Sequence, residues 1–368
     1  MRKRIEKLKD ELVKRGLDAF LAVQNTRYSA GTTAAKAVIV PTEGSPLLIC
    51  SRLEFDQAKR ESWIRDVRAF SGWKAPLRRG ERVIFCKPWQ LVANCMQELG
   101  ARAVGYDHAS KEFIRKLRAA YTASYRELPE LMLKLRKIKS REEVSLLRRS
   151  AKIATKGMRC AAESIAVGRT ELEVAAEAER EMRMAGSEGT SFPTIVASGR
   201  NSWLPHASAT RKRLRRWELV VVDLGAIYNG YTSDMTRTFA LSPTKKQFTL
   251  IGLVRRAQKA AIGRVRNGAK TSDVDKAARE IISRAGYAKF SPHGTGHGVG
   301  IEVHEPPGLA PDSKDILCEG MVITVEPGIY VPRLGGARWE DMIFIKARGT
   351  QILTSLEEIE GSLVFTRV

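Results

Sequence analysis

The chain has 368 residues, 43% of them hydrophobic, which is more than one ordinary core holds, so two domains are expected. No apolar run approaches the ~18 residues of a membrane span, and the basic segment Met1–Phe20 lacks the continuous apolar stretch of a signal peptide, so a cytoplasmic protein is expected. The net charge of +22, with basic runs at Lys134–Lys139 and Arg211–Arg216, attracts polyanions, but these runs lack interleaved aromatics or a binding motif; a solvated basic surface is expected and nucleic-acid binding is not.

Residues 1–130 alternate helix and strand patterns and read as a small α/β domain. Ile5, Leu8, Leu12 and Leu17 fall near helical spacing. Asp18–Val23, Ala37–Pro41, Pro46–Cys50, Arg82–Cys86 and Ala103–Tyr106 read as short buried strands, and Thr42–Ser45 as the turn of a hairpin. A helix is expected over Glu112–Ala120. A linker is expected over 131–140. Ser140-x-x-Glu143 then forms a capping box, each side chain satisfying the other residue's free N–H, and opens an amphipathic helix to about Ile165. Residues 141–368 make the second domain.

That domain carries an internal echo. Gly168, Val174, Ala178, Ala185 and Gly186 recur as Gly268, Val274, Ala278, Ala285 and Gly286. In both copies a long helix, a Gly-containing loop and a second helix ending at Ala-Gly precede strand-rich sequence, the Gly suiting a helix C-terminus. A duplicated α-α-β unit is expected, its halves related by a pseudo-two-fold axis and their strands side by side in one curved sheet.

The chemistry concentrates in three places. Asn229-Gly230 between apolar runs is the preferred type I′ hairpin turn. With those two as the loop, residue 225 faces 234, and Asp223 and Asp234 become diagonal neighbours on one face. Two carboxylates aimed into a mostly buried sheet repel unless a cation lies between them. Of five histidines, four lie between 206 and 304: His206, His293, His297 and His304, the last three in a Gly-rich segment. Histidine is a common metal ligand and proton carrier, and flanking glycines permit close approach of a ligand or metal. Glu326 and Glu340 sit at strand-like segments joined by Gly and Pro. The five scattered cysteines (Cys50, Cys86, Cys95, Cys160, Cys318) include no CxxC pair and suit neither a disulfide framework nor a thiolate site.

Asp223, Asp234, His297, Glu326 and Glu340 together offer four carboxylates and one imidazole. Such oxygen-rich ligation suits Mn, Co or catalytic Zn. It carries too much negative charge for one divalent ion, so two ions per chain, ~3.5–4 Å apart and activating a water, are expected.

These motifs closely resemble the pita-bread metallopeptidases, specifically their Xaa-Pro branch of prolidases and aminopeptidases P. The resemblance runs through Asn25–Gly31, the basic segment Leu135–Ser140, Thr194–Gly199, the two-Asp hairpin, His293-Gly-Thr-Gly-His297-Gly-Val-Gly300, Val325–Tyr330 and Arg338-Trp-Glu-Asp341. It implies an α+β protein, a small α/β domain followed by a pita-bread catalytic domain. It also implies that Asp223 binds one metal, that His297 and Glu326 bind the other, and that Asp234 and Glu340 bridge both. Glu326 would handle the proton of the attacking water. His206, His293 and His304 would contact a peptide with proline at its second position, His206 and His304 stabilising the tetrahedral intermediate, with Tyr330 and Arg338 on the substrate side. A homodimer is implied as well. The sequence departs from the family pattern at Arg200, Arg333 and Trp339, none of them a ligand position.

Methionine aminopeptidases share the catalytic half but lack this N-terminal domain; creatinase uses no metal and the non-enzymatic relatives that bind histones, RNA or protein have lost ligands, and the intact set argues against both of these. Within the Xaa-Pro branch a dipeptidase is expected over an aminopeptidase. A dipeptidase must bind the carboxylate of its proline, and Arg333 adds a cation to the loop that bears Arg338.

Overall fold

Alternating apolar and amphipathic stretches up to Arg136 fold as one unit of a computed structural model that describes residues 2–356, and a second unit starts at Lys137. In the first, α1 (Arg2–Lys14) buries Ile5, Leu8 and Leu12. There follow β1 (Ala19–Ala22), α2 (Thr26–Ala30), β2 (Ala37–Pro41), β3 (Leu47–Ser51), α3 (Phe55–Glu61), β4 (Asp66–Ser71) and β5 (Val83–Phe85). The unit closes with α4 (Pro88–Glu98), β6 (Ala103–Tyr106), α5 (Lys111–Ala120), β7 (Ser124–Glu127) and α6 (Pro129–Lys137). The strands form a mixed sheet in the order β5-β4-β3-β2-β1-β6-β7, with β2 and β3 joined as the expected hairpin.

Three features of this unit differ from the sequence reading. β4 alternates buried Val67 and Ala69 with Asp66 and Arg68, and β7 buries Tyr125 alone, so neither shows the apolar run of a central strand. β5 is an edge strand with Ile84 and Phe85 exposed, not a buried one. The segment expected as a linker is largely α6, whose Leu131, Met132 and Arg136 are buried, with Arg136 Nη1 donating to Asn25 Oδ1 at 2.8 Å.

In the second unit Ser140 and Glu143 make the expected reciprocal cap on α7 (Arg141–Ser164). α8 (Glu171–Met184) follows, then β8 (Ile195–Ser198), β9 (Glu218–Leu224), β10 (Ile227–Tyr228), β11 (Tyr231–Thr232) and β12 (Met235–Leu241). The second half repeats the plan with α9 (Lys245–Ile262), α10 (Thr271–Arg284), β13 (Gly296–Gly298), β14 (Glu305–Leu309) and β15 (Val322–Val325). It adds β16 (Gly328–Val331), β17 (Gly335–Arg338), β18 (Asp341–Ile345) and β19 (Thr350–Ile352).

The echo is visible in the backbone. α8 and α10 end in the same way: Gly186 and Gly286 have positive φ, and the next N–H returns to Met182 in one half and Ile282 in the other. Gly168 N–H donates to Leu214 O, and Gly268 N–H to Leu317 O. Each helix pair covers one face of its half's strands. Met158, Val174 and Met182 pack on Val220, Val222 and Leu224; Val254, Val274 and Ile282 share a core with Ile323, Val325 and Ile343. The strands do not form one sheet. Among the described residues they make a three-stranded sheet (β12-β9-β8), a five-stranded sheet (β14-β13-β15-β18-β19) and two short hairpins. The halves meet through scattered hydrogen bonds instead, among them Glu340 N–H to Thr236 O and Thr238 Oγ1 to Arg338 O.

The cysteines at 50, 86, 95, 160 and 318 are all unpaired. Among the described residues no helix is long and apolar enough to cross a membrane.

The hairpin follows its expected register. Asn229 and Gly230 both have positive φ, as a type I′ turn requires, Tyr228 pairs with Tyr231, and Asp223 pairs with Thr236. Gly225 sits where a Cβ would run into the Ser233 carbonyl across the hairpin. Gly225→Ala should therefore force the strands apart between Asp223 and Asp234, lowering stability by about 1–3 kcal/mol. Thermal melting checks this, and an unchanged Tm would contradict it.

Candidate metal centre

Strand alternation aims the acids. In β9, Val220, Val222 and Leu224 face the helices, so Asp223 faces the other way. It enters a cavity of about 490 Å³ whose wall also carries Asp234, His297, Glu326, Glu340, His206, His293, His304 and Arg338. Asp234 precedes β12, His297 is the middle residue of β13, Glu326 follows β15, and Glu340 lies between β17 and β18. All five expected ligands thus come to one wall. Donor atoms of Asp234, His297 and Glu340 lie within 4.8 Å of one another.

His297 is oriented as a ligand would be. Its Nδ1 lies 3.0 Å from Gly298 O, and a carbonyl only accepts, so Nδ1 carries a proton and Nε2 is turned to the acids. Burial opposes a charge on the ring, but Glu326 outweighs it and raises the ring's pKa, and Nε2 would give its lone pair to a cation held there. Nε2 is 3.2 Å from Glu326 Oε1 and 3.6 Å from Asp234 Oδ2. Burial and mutual repulsion govern the acids. Burial, then Glu340, Asp223 and Glu326, push the Asp234 carboxyl well above its ordinary range. Burial, then Glu326 and Asp223, do the same to Glu340. For Asp223, burial outweighs the attraction of Arg338, and its carboxyl is raised. Glu326 alone goes down: burial opposes ionisation, but the hydrogen bond and charge of His297 hold it at about 2.

Asp223 Oδ1 and Glu340 Oε1 are buried without a hydrogen-bond partner. Orphaned carboxylate oxygens at the centre of an acid cluster are costly to bury, and a hard divalent cation would satisfy both. The donor set fits such a cation.

The surrounding residues hold this set in place. Arg338 donates through Nη2 to Asp223 Oδ2, through Nε to Thr236 Oγ1 at 3.1 Å, and through Nη1 to Pro205 O and Tyr330 Oη at 3.1 and 2.7 Å. Thr236 Oγ1 donates to Glu340 Oε2 at 2.7 Å. Tyr330 is buried behind the wall. Its hydroxyl accepts from Arg338 and lies 2.9 Å from His293 Nε2, while His293 Nδ1 lies 2.7 Å from Gly294 O. Both ring nitrogens of His293 are therefore engaged. His206 and His304 are exposed on the wall, and His304 stacks edge-on against His297 with centroids 4.3 Å apart.

One sequence expectation changes here and another is extended. Arg333 is exposed at the tip of the β16–β17 hairpin, with φ of 69°, and is not among the residues of the cavity wall. The glycines around His297 have a second cause beside approach to the cavity, which Gly294 and Gly296 line: a Cβ at 296 would run into Thr324 O, and one at 298 into Pro306 O. Glu171, which the sequence reading passed over, ties down the segment bearing His206; its position opening a helix after Thr170 was the available signal.

The pattern of metallopeptidase family M24 matches residues 145–347, and that of the creatinase/prolidase N-terminal domain matches residues 4–138. The chain is 37% identical over 361 residues to the Xaa-Pro dipeptidase of Pyrococcus furiosus, covering 97% of this chain and 99% of the relative. It superposes on the crystal structure of the prolidase from Pyrococcus horikoshii OT3 with a TM-score of 0.86 at 36% identity, over 96% of this chain and 99% of that one. For the X-Pro aminopeptidase from Thermotoga maritima MSB8 the TM-score is 0.83 at 30% identity, over 93% and 96%.

Asp234→Asn keeps the side chain's shape and removes one charge from the cluster. The unaltered chain is expected to take up about two divalent ions after reconstitution, and the variant fewer. Added Mn²⁺ should raise the Tm of the unaltered chain by mass action and that of the variant much less. Elemental analysis and melting check this; equal metal content and an equal Tm rise would contradict the assignment.

Proposed function

The chain belongs to metallopeptidase family M24, and from that premise we propose that it hydrolyses the Xaa-Pro bond of dipeptides at a two-metal centre. The convergence of Asp234, His297 and Glu340 donor atoms, with Asp223 and Glu326 on the same wall, carries the proposal. Asp223 would hold one ion, His297 and Glu326 the other, with Asp234 and Glu340 shared. Mn, Co or Zn suits this donor set. When bound, the ions supply a nucleophile from water at neutral pH and offset the charge of the acids.

The chain's own groups do the rest. Glu326 accepts the proton of the attacking water and passes it to the prolyl nitrogen as the C–N bond breaks, giving a free amino acid and proline. That nitrogen carries no hydrogen before cleavage, so a proton must be delivered to it. His206 and His304, exposed on the cavity wall, would donate N–H groups to the oxyanion formed from the scissile carbonyl and to the proline carboxylate. Burial, then His297, lowers the pKa of His304, so near neutral pH its ring is a neutral donor. Arg338 is committed to Asp223, Thr236, Tyr330 and Pro205, and acts by fixing the wall. The resemblance also supports a homodimer, which sedimentation at micromolar concentration checks.

The dipeptidase reading no longer draws on Arg333; it rests on the Pyrococcus dipeptidase and prolidase. The test compares Ala-Pro, its C-terminal amide and Ala-Pro-Ala. A site built around a free carboxylate should lose at least about 10-fold in kcat/KM with the amide, because its donors are left unpaired. Faster release of alanine from the tripeptide than from the dipeptide would favour an aminopeptidase instead.

A further inference from the structure

Glu171 is the first residue of α8, fully buried, and plays no part in the reaction described above. Its carboxylate gathers donors from both ends of one loop. Oε1 accepts from Ser198 N and Oγ, each at 2.7 Å, and from Asn201 Nδ2 at 3.1 Å. Oε2 accepts from Asn201 Nδ2 at 3.0 Å, Thr210 N at 3.1 Å and Thr210 Oγ1 at 2.5 Å. Leu172 N–H, one residue on, donates to Thr210 O at 3.1 Å. Ser198 ends β8 and Thr210 lies beyond His206, so the segment leaves a strand, presents His206 to the cavity and returns to the same carboxylate. Such a closed loop is held by its ends.

The charge is placed where it is stabilised. Glu171 lies in the first turn of a helix, where the helix dipole favours an anion, and its bonds are charge-assisted. Lys212 Nζ donates to Ser198 Oγ at 2.8 Å, leaving that hydroxyl's proton for Glu171. In the second half the matching helix position is Thr271, whose hydroxyl reaches Ser313 Oγ and Asp315 O. Both repeats pin a return segment from this position, but only the half that presents His206 uses a carboxylate.

We propose that Glu171 is a positioning residue that sets the place of His206 by closing its loop on one carboxylate. The inference rests on the reading of His206 as a substrate donor. A glutamine cannot replace Glu171: it offers one acceptor oxygen and turns an NH2 toward groups that are themselves donors.

The test uses the metal-loaded full chain with Ala-Pro as substrate. Glu171→Gln should melt cooperatively and keep its metal, yet lose about 10- to 100-fold in kcat/KM, the cost of a misplaced group. Thr210→Val should lose less, and Thr210→Ser should restore activity. In a His206→Ala background, adding Glu171→Gln should change kcat/KM by no more than about twofold, because both act through one group. Should Glu171→Gln fail to fold, the Thr210 pair decides. A folded Glu171→Gln with unaltered kcat/KM, equal activity of the two Thr210 variants, or losses that multiply in the double variant would overturn the proposal. If His206→Ala alone leaves kcat/KM unchanged, the role given to His206 fails and this inference fails with it; a large His206→Ala effect beside a silent Glu171→Gln sinks the inference alone.

Discussion

Four carboxylates gathered around one imidazole, that of His297, on the cavity wall are the constraint around which the second unit is built. Two unit charges about 4 Å apart interact by about 4 kcal/mol at an effective dielectric near 20, so an uncompensated cluster of four would tend to take up protons or spread apart. The raised carboxyls of Asp223, Asp234 and Glu340 express the first tendency. The second is blocked by the neighbours. Arg338 and Thr236 fasten Asp223 and Glu340, and Arg237, fully buried, donates to Glu340 O and Asp341 Oδ1. Asp223 Oδ1 and Glu340 Oε1 stay buried without a hydrogen-bond partner, and a cation is expected beside them.

Duplication explains how one chain assembles such a set. Each half supplies a helix pair that covers one face of its strands and leaves the other face for polar residues. The first half contributes Asp223 and Asp234 from one hairpin; the second contributes His297, Glu326 and Glu340 from strand ends. Because the two sheets are not continuous, residues at the seam are free to turn inward. The seam is closed by Thr236 and Thr238 meeting the Arg338–Glu340 segment, so the ligands are set by contacts between repeats as much as by contacts within them.

What the sequence made legible follows from how local each constraint is. The Asp223–Asp234 relation is fixed by an Asn-Gly turn and a register that any reader can count, and the helix start at Ser140 by a four-residue cap. The strands β4 and β7 and the helix over Pro129–Lys137 were harder, because charged residues interrupt all three and leave a weak apolar pattern. β5 was found by its apolar run, but nothing local to that run shows that it lies exposed at the sheet edge. Arg333 was misjudged for a related reason. Proximity in sequence to Arg338 says nothing of direction, and a hairpin tip carries its side chain away from the site. The glycines near His297 carry a second constraint that no local pattern shows: the crowding they relieve comes from Thr324 and Pro306 on neighbouring segments.

Trp339 illustrates how a departure from a family pattern beside the site can leave the site's chemistry untouched. It stands between Arg338 and Glu340, and extended backbone sends alternate side chains to opposite faces. Arg338 and Glu340 therefore reach the cavity wall while the indole turns into the core of the second half, where it is 4% exposed. There it meets two guanidinium groups, Arg237 at 4.9 Å and Arg255 at 4.6 Å from the ring centroid. Arg237 also holds Glu340 O and Asp341 Oδ1. An aliphatic side chain would fill the same core space but offer no ring face to these cations, and cation–π contacts with desolvated arginines contribute on the order of 1–2 kcal/mol. The tryptophan thus stiffens the short segment that carries two wall residues, and it does so from the core, outside the cavity lining.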